Sequence, residues 1–517
     1  MENDKYLNES LKKIVKGAGI SFTGTMIGTA FGYLSRMIIG RFLGPSEYGI
    51  VSIGFVVMTI AATLSLVGLN AGIQRYVSFY KGKGDERRIK GTIIGALKIS
   101  FPLSLILTFL IFLGAGWISI HVFHEPNLTP VLRIFAIGIP FWVLTTIFNS
   151  GSVGFQEIKY KVYTIFIFKD TFKLIAIVTL LTLGYGILGA SVGWVIAIIL
   201  SSFLAFYFLE NKVFPILNSR VKSISVDKEL LVFSFPLIFA GLAALITSYT
   251  DTLMLGYFCT SSEVGVYNAA MPTASLLLII SGSFTVIFMP VVSELHARGM
   301  ENELKKAYSS VTKWVFSLVL PAFILIAFFS DSIMCLMFGH EYIVGATALR
   351  VLAFGYFIFS LFSLASSLLQ SYGKTGLVMK CSFIGAGANI ILNFLLIPMY
   401  GVNGAAIATT SSLVLLGILY FLFIYRIKKI QPIKLSYAKP LFASLITLLF
   451  IYMMMKYMGH LSLSLLMCAF SVFLILYFFL LLIFRSFEEE DLIIMRAIDE
   501  RVGIKSNRIR DIIKRFL

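Results

Sequence analysis

FLGPSEYGI, residues 42–50, returns as FCTSSEVGV at residues 258–266. Outward from this pair, LRIFAIG at 132–138 returns as LRVLAFG at 349–355, and YGILGA at 185–190 as YGVNGA at 400–405. His124 and Glu125 likewise recur as His340 and Glu341. The offsets are 216, 217, 215 and 216 residues in unbroken order. A constant spacing of this kind marks a duplicated unit, since chance matches among Gly and Leu would not keep register.

Apolar runs bounded by charge or turn residues fill each unit. They fall near 17–39, 48–72, 99–120, 132–153, 162–183 and 187–209, then near 231–257, 264–290, 314–337, 347–369, 376–397 and 402–425, with two more near 438–457 and 461–484. A spanning helix needs about 20 apolar residues, so six predicted spans lie in each unit and fourteen in the chain. An even number per unit preserves orientation, which makes the halves parallel repeats about an axis along the membrane normal. The expected architecture is an all-α integral membrane protein. It has an N-lobe at 1–209, a charged cytoplasmic linker at 210–230, a C-lobe at 231–425, two appended spans within 438–484 and a tail at 485–517.

Composition agrees. The 517 residues are 58% hydrophobic and 13% charged, with mean hydropathy +0.90, whereas a soluble domain carries roughly 25% charged residues. The connections left between spans are too short for a soluble catalytic domain. A net charge of +17 would raise nucleic acid in a soluble protein, but in a membrane protein it reads as topology. Of the 43 Lys and Arg, Arg36, Arg41, Arg133, Arg350 and Lys456 lie on or near the outer side, and Lys169 and Lys173 fall inside the fifth span. The others occupy the N-terminal segment, the connections after even-numbered spans, or the tail. The positive-inside rule then puts both termini in the cytoplasm of a multi-pass cell-membrane protein, with no nucleic-acid partner. MENDKYLNESLKKIVKG at the start has acidic residues and no small-residue cleavage site after a short apolar core, so insertion is expected to use the first span. Cys259, Cys335, Cys381 and Cys468 lie far apart without metal-ligand spacing and read as packing residues.

LGPSEYGIVS after the first span and DTLMLGYFCTSSEVGVYNAA at 251–270 resemble the multidrug/oligosaccharidyl-lipid/polysaccharide exporter superfamily. Within it the chain is most similar to the fourteen-span polysaccharide transport branch, which includes Wzx-type flippases of lipid-linked glycans; the resemblance runs from about residue 10 to 485. It implies V-shaped lobes around a cavity built from spans 1, 2, 7 and 8 that opens alternately to each side. It also implies a glycan carried on an undecaprenyl- or dolichol-type lipid by phosphate or pyrophosphate. Membrane lipids, and glycosyltransferases or a polymerase, are candidate further partners.

Charges inside the bilayer cost about 2.5–3.5 kcal/mol on insertion scales, so each is a functional candidate. Arg36 continues a four-residue stripe of Gly24, Gly28, Gly32 and Gly40, a face that packs on protein or lines a cavity. Its guanidinium suits bidentate binding of phosphate; the alternative is a snorkelling or structurally paired Arg. Asp251, on a stripe with Ala240, Ala244 and Thr247, corresponds in the repeat to Arg36 or Ser35. The two would face one cavity or meet when its outer side closes, as gate or ion-coupling residues, or form a static pair. In the fifth span Lys169 and Lys173 share a face, and Asp170 can pair with Lys173. That group is a cationic wall for an anionic headgroup or, as the slightly favoured reading, a pair buried within the N-lobe. Asn70 and Gln74 at the inner end of span two, and Asn268 in span eight, are candidates for sugar hydroxyls or for interhelical hydrogen bonds. Glu47 and Glu263, repeat equivalents after tight turns, suit helix-start caps.

Other motifs fail. GKT at 373–375 lacks the Walker A glycine, position 368 being Leu. His121, His124 and Glu125 have no zinc spacing, Asn127 opens an outer NLT sequon, and no DxD triplet is present. No cofactor is indicated, and proton, sodium or passive coupling are all compatible. The tail at 485–517 reads as a basic amphipathic helix on the inner leaflet. An enzyme is disfavoured for want of a sizeable outer loop. The transporter alternatives are a lipid II flippase, expected to carry several cavity arginines where spans two and eight have none, and a drug/cation antiporter, expected to have twelve spans and an acidic first span. The remaining class is a scaffold for glycan-assembly enzymes.

Overall fold

Helices end beside glycines with positive φ, among them Gly68, Gly84, Gly184, Gly299, Gly339 and Gly373, whereas Pro102, Pro140, Pro236 and Pro321 lie inside helices. The computed structural model describes residues 2–217, 221–431, 437–458 and 463–486; the tail beyond Ser486, expected to be amphipathic, lies outside them. Among the described residues all regular structure is helical. The first half contains α1 (Glu2–Leu66), α2 (Leu69–Gly82), α3 (Glu86–Trp117), α4 (Leu128–Gly154), α5 (Ile158–Lys161), α6 (Asp170–Thr182) and α7 (Gly186–Phe208). It is followed by α8 (Asp227–Phe258), α9 (Ser261–Ser275), α10 (Leu277–Ala297), α11 (Glu301–Phe328), α12 (Ser330–Phe338), α13 (Ala346–Ser371), α14 (Thr375–Lys428), α15 (Ala438–Met458) and α16 (Leu463–Ile483).

Seven of these helices, counted among the described residues with their short flanking turns, are long and apolar enough to cross a membrane. Two bent pairs would each make a further span: Asp227–Ala243 with Leu245–Phe258 at 45°, and Ser261–Ser275 with Leu277–Thr285 at 40°. The protein is a multi-pass membrane protein. Predicted span five is a π-helical stretch, Val162–Lys169, running into α6. Predicted span two ends earlier than expected: left-handed Val67 and Gly68 separate α1 from α2. Asn70 and Gln74 therefore belong to the separate short helix α2.

The backbone repeats more faithfully than the side chains. Positive φ occurs at Gly84 (68°) and Gly299 (71°), Gln156 (66°) and Gly373 (70°), Gly186 (51°) and Gly401 (53°), and His124 (52°) and Gly339 (121°). Each pair lies at the repeat spacing. Left-handed backbone is costly for residues with a Cβ, so these turns identify the duplication in conformation as well as in sequence.

The described residues form two units, Met1–Ala269 with Asn393–Val402, and Ala270–Leu392 with Asn403–Leu517. This division falls later than the charged linker because α8 packs within the first unit. A Cβ on Gly72 would strike the Ser234 hydroxyl, and Tyr80 donates to Glu229 at 2.9 Å. Burial first, then the Glu229 carboxylate, pushes the Tyr80 phenol above its usual pKa, so it stays a donor. Residues 221–226 form a non-helical strap along α3. The Ile224 N–H donates to the Arg87 carbonyl at 3.1 Å. A Cβ on Gly91 would overlap the Ile224 carbonyl, and one on Gly95 the Asp227 carboxylate. In the second unit, Glu301 accepts from Lys428 at 2.6 Å and from Tyr372 at 2.8 Å, tying α11, α13 and α14.

Candidate functional site

The glycine stripe of α1 exists to receive the π-helical stretch. A Cβ on Gly24 would overlap Val162, one on Gly28 would come within 2.9 Å of Phe166, and one on Gly32 would lie 4.0 Å from Lys173 Nζ. The stripe thus faces protein. Its small residues let two helices approach closely and bring Arg36, one turn further along, into the electrostatic neighbourhood of Lys173. π-helical insertions often occur at functional sites, and this one delivers Lys169 and Asp170 at its end.

Lys173 Nζ donates to Asp170 Oδ1 at 2.9 Å, and Lys169 Nζ lies 3.7 Å from the same oxygen. The three side chains retain 7%, 11% and 15% exposure for Lys173, Asp170 and Lys169. Each ammonium also lies over an indole: Lys173 is 5.0 Å from the Trp194 centroid, and Lys169 is 5.3 Å from that of Trp142. Cation–π attraction strengthens when the cation is desolvated. Phe55 joins the rings, 4.6 Å from Trp194, 6.4 Å from Trp142 and 6.5 Å from Tyr249. Arg36 adds a positive charge near Lys173, while Asp170 pairs with the two lysines. The expected Lys173–Asp170 pair is present, but it leaves positive charge in excess.

Arg36 rests against the Tyr48 hydroxyl, which itself donates to the Asn268 carbonyl at 3.0 Å. Asp251 is 1% exposed and accepts from Tyr267 at 2.6 Å and from Asn393 Nδ2. Tyr48 thus stands beside Arg36, and Tyr267 and Asn393 are among the partners of Asp251. The Asn268 amide is engaged by Thr252 at 3.1 Å and the Val264 carbonyl at 2.9 Å, which is the interhelical role. Asn70 is exposed and Gln74 half-buried; neither joins these clusters.

Beyond Arg36 along α1, the two copies of the repeated motif cross. A Cβ on Gly49 would overlap the Ser261 carbonyl, and one on Gly265 the Pro45 carbonyl. These are reciprocal contacts of the kind a twofold axis makes. Ser46 and Ser261 hydroxyls are 2.9 Å apart, and Ser261 donates to Glu125 at 3.0 Å. Glu263 accepts from the Thr260 N–H and hydroxyl, both at 3.2 Å, as a helix-start cap. Arg133 and Arg350 are held locally, Arg133 over the Phe112 ring at 5.5 Å and Arg350 on Asp331. Among the described residues no group of three or more His, Cys, Asp and Glu side chains could hold a metal ion.

Sequence reasoning missed Tyr48, Tyr267, Asn393, Trp142 and Trp194. Tyr48 carried a signal, standing inside the repeated motif. The others are polar or aromatic residues in apolar runs, and only tertiary contact distinguishes them.

The family described as "Polysaccharide biosynthesis protein" matches residues 14–296. The chain belongs to that family. A second family, MatE, matches residues 236–395, and together they place this family member in the multidrug/oligosaccharidyl-lipid/polysaccharide exporter superfamily. It is 24% identical over 503 residues to the uncharacterized membrane protein MJ1068 of Methanocaldococcus jannaschii, covering 93% of this chain and 98% of that one. It is 25% identical over 394 residues to the probable low-salt glycan biosynthesis flippase Agl15 of Haloferax volcanii, covering 76% and 79%. Its fold is similar to that of the lipid II flippase MurJ in an inward closed conformation, with a TM-score of 0.71 and 19% identity over 91% of this chain and 99% of that one.

Proposed function

We propose that the protein is a flippase that moves a lipid-linked oligosaccharide from the inner to the outer leaflet by alternating access, without bond chemistry. The observation that carries this reading is that Lys169 and Lys173 share the single carboxylate of Asp170, with Arg36 close enough to bear electrostatically on Lys173. Uncompensated buried cations are costly, and a substrate with a polyprenyl phosphate or pyrophosphate supplies the missing anion while its tail stays in lipid. Arg36 contacts the phosphate, and the lysines form its cationic wall. Asp251, held by Tyr267 and Asn393, is the candidate gating or ion-coupling group. Asn268 positions helices, and Asn70 and Gln74 remain candidates for the sugar only.

Fourteen spans in two parallel six-span repeats, forming V-shaped lobes, with both termini cytoplasmic, complete the reading. The lengths of α1 and α14 support the count: at about 1.5 Å per residue they reach roughly 100 Å and 80 Å, against a hydrocarbon core of about 30 Å. Each has non-helical backbone inside, at Gly44 and Gly401, where two spans would meet. The linker at 210–230 divides the repeats in sequence. A lipid II substrate is the second reading, favoured by the fold likeness and disfavoured by the lack of arginine in spans two and eight.

Purified protein in vesicles should expose a labelled polyprenyl-pyrophosphate-linked oligosaccharide to an outside probe. If label stays protected while the protein binds glycosyltransferases tightly, a scaffold role replaces transport.

A further inference from the structure

Asp170 sits where a substrate anion would sit. Lys173 and Lys169 share its one oxygen, Oδ1, at 2.9 Å and 3.7 Å, and its own side chain is 11% exposed. The pairing is unequal. Lys173 is fixed by burial, by the Trp194 ring, and by Gly32 of α1 beside its Nζ. Lys169, at the end of the π-helical stretch, is the more exposed of the two and holds the longer contact. Two ammonium groups share one carboxylate, so the pair is stabilised by Asp170 without being neutralised.

We propose that Asp170 is a built-in counter-ion that a substrate's phosphate displaces and that later reclaims the lysines. This inference rests on the flippase reading and names the residue that sets substrate release. In the empty protein, Asp170 offsets the desolvation of Lys173 and Lys169, which a bare buried pair of ammonium groups would not survive. When a phosphate arrives, Lys169 swings from its 3.7 Å contact to the stronger charge-assisted bond, while Lys173 stays bridged between Asp170 and the ligand. The carboxylate then repels the bound anion. Charges interact more strongly in a poorly solvated interior than in water, so a neighbouring carboxylate keeps a buried phosphate from becoming a trap. A transporter needs that balance, since a site that only tightens binding slows turnover.

The predicted signature is a split between affinity and rate. Binding is measured on full-length protein with geranylgeranyl pyrophosphate. Geranylgeraniol and inorganic pyrophosphate serve as arms that separate the lipid from the anion. Turnover is measured in vesicles with a labelled polyprenyl-pyrophosphate-linked disaccharide. D170N should bind geranylgeranyl pyrophosphate roughly tenfold more tightly, a change of one power of ten in Kd, and flip more slowly than the wild type. K169Q should bind more weakly, and adding D170N to K169Q should return affinity toward the wild type. That comparison stands even if D170N alone does not fold. Weaker or unchanged binding in D170N with an unchanged melting temperature, or a double variant no tighter than K169Q, overturns the proposal. If the wild type itself does not flip the labelled lipid, it is the flippase reading that fails.

Discussion

Two aspartates lie buried in the first unit, and their surroundings differ in kind. Asp170 shares one oxygen between two ammonium groups, within reach of two indoles. Asp251 accepts from a phenol and a carboxamide, both neutral donors. Asp170 answers two cations with one carboxylate, and removing its charge would leave both lysines uncompensated. The hydrogen bonds that Tyr267 and Asn393 give Asp251 can be made to either of its protonation states, since a carboxylic acid still accepts. In the flippase proposed above, Asp170 is the acid that would meet a substrate's charge and Asp251 the candidate gating or ion-coupling group.

The harshest test of this contrast is K173M. It leaves Asp170 with the longer Lys169 contact alone, and truncating one partner of a buried pair costs about 3–5 kcal/mol. Transport should be lost and thermal stability should fall together, whereas retained transport in a folded K173M protein would reduce the cluster to packing. D251N comes next, because it keeps the shape while removing the charge, and the Tyr267 hydroxyl can turn to accept from the new amide. It should lower transport by roughly tenfold or more and leave melting temperature nearly unchanged; a stability loss with an unaltered rate per folded molecule would make Asp251 structural. Substituting Val for Gly265 leaves both acids intact and attacks the crossing outside them. Overpacking of this kind costs about 1–3 kcal/mol, and it should raise labelling of a cysteine placed at Ser46 by an external thiol reagent. If labelling is unchanged, the crossing is not what closes that side. E301Q should matter least. Its carboxylate is 35% exposed, so losing the Lys428 pair should cost less than about 1 kcal/mol in a thermal melt, with transport kept.

Much of the fold was legible because it follows from bulk properties. Apolar length gave the membrane class, and the repeated motifs pointed to a duplication that the left-handed turns then repeated in the backbone. The unit boundary was not legible. Nor was the strap along α3, which is seated in the space left by absent side chains at Gly91 and Gly95, because two glycines in a helical run do not announce a groove. The π-helical stretch was hidden for a similar reason, since VYTIFIFK reads simply as apolar. At the candidate site the short-range pair, Lys173 with Asp170 three residues away, could be read directly. The partners of Asp251 are 16 and 142 residues distant, and no helical spacing connects them.

The strap along α3 also bears on how the chain is made. Ile224 and Asp227 settle against the start of α3, a helix the ribosome has already completed, and domains fold N-terminal first during synthesis. The second half therefore begins its insertion from an anchored point on a finished surface. A bulky residue at Gly91 would be felt first as a fault of assembly, in the order and position in which α8 joins its neighbours, before any cargo is encountered.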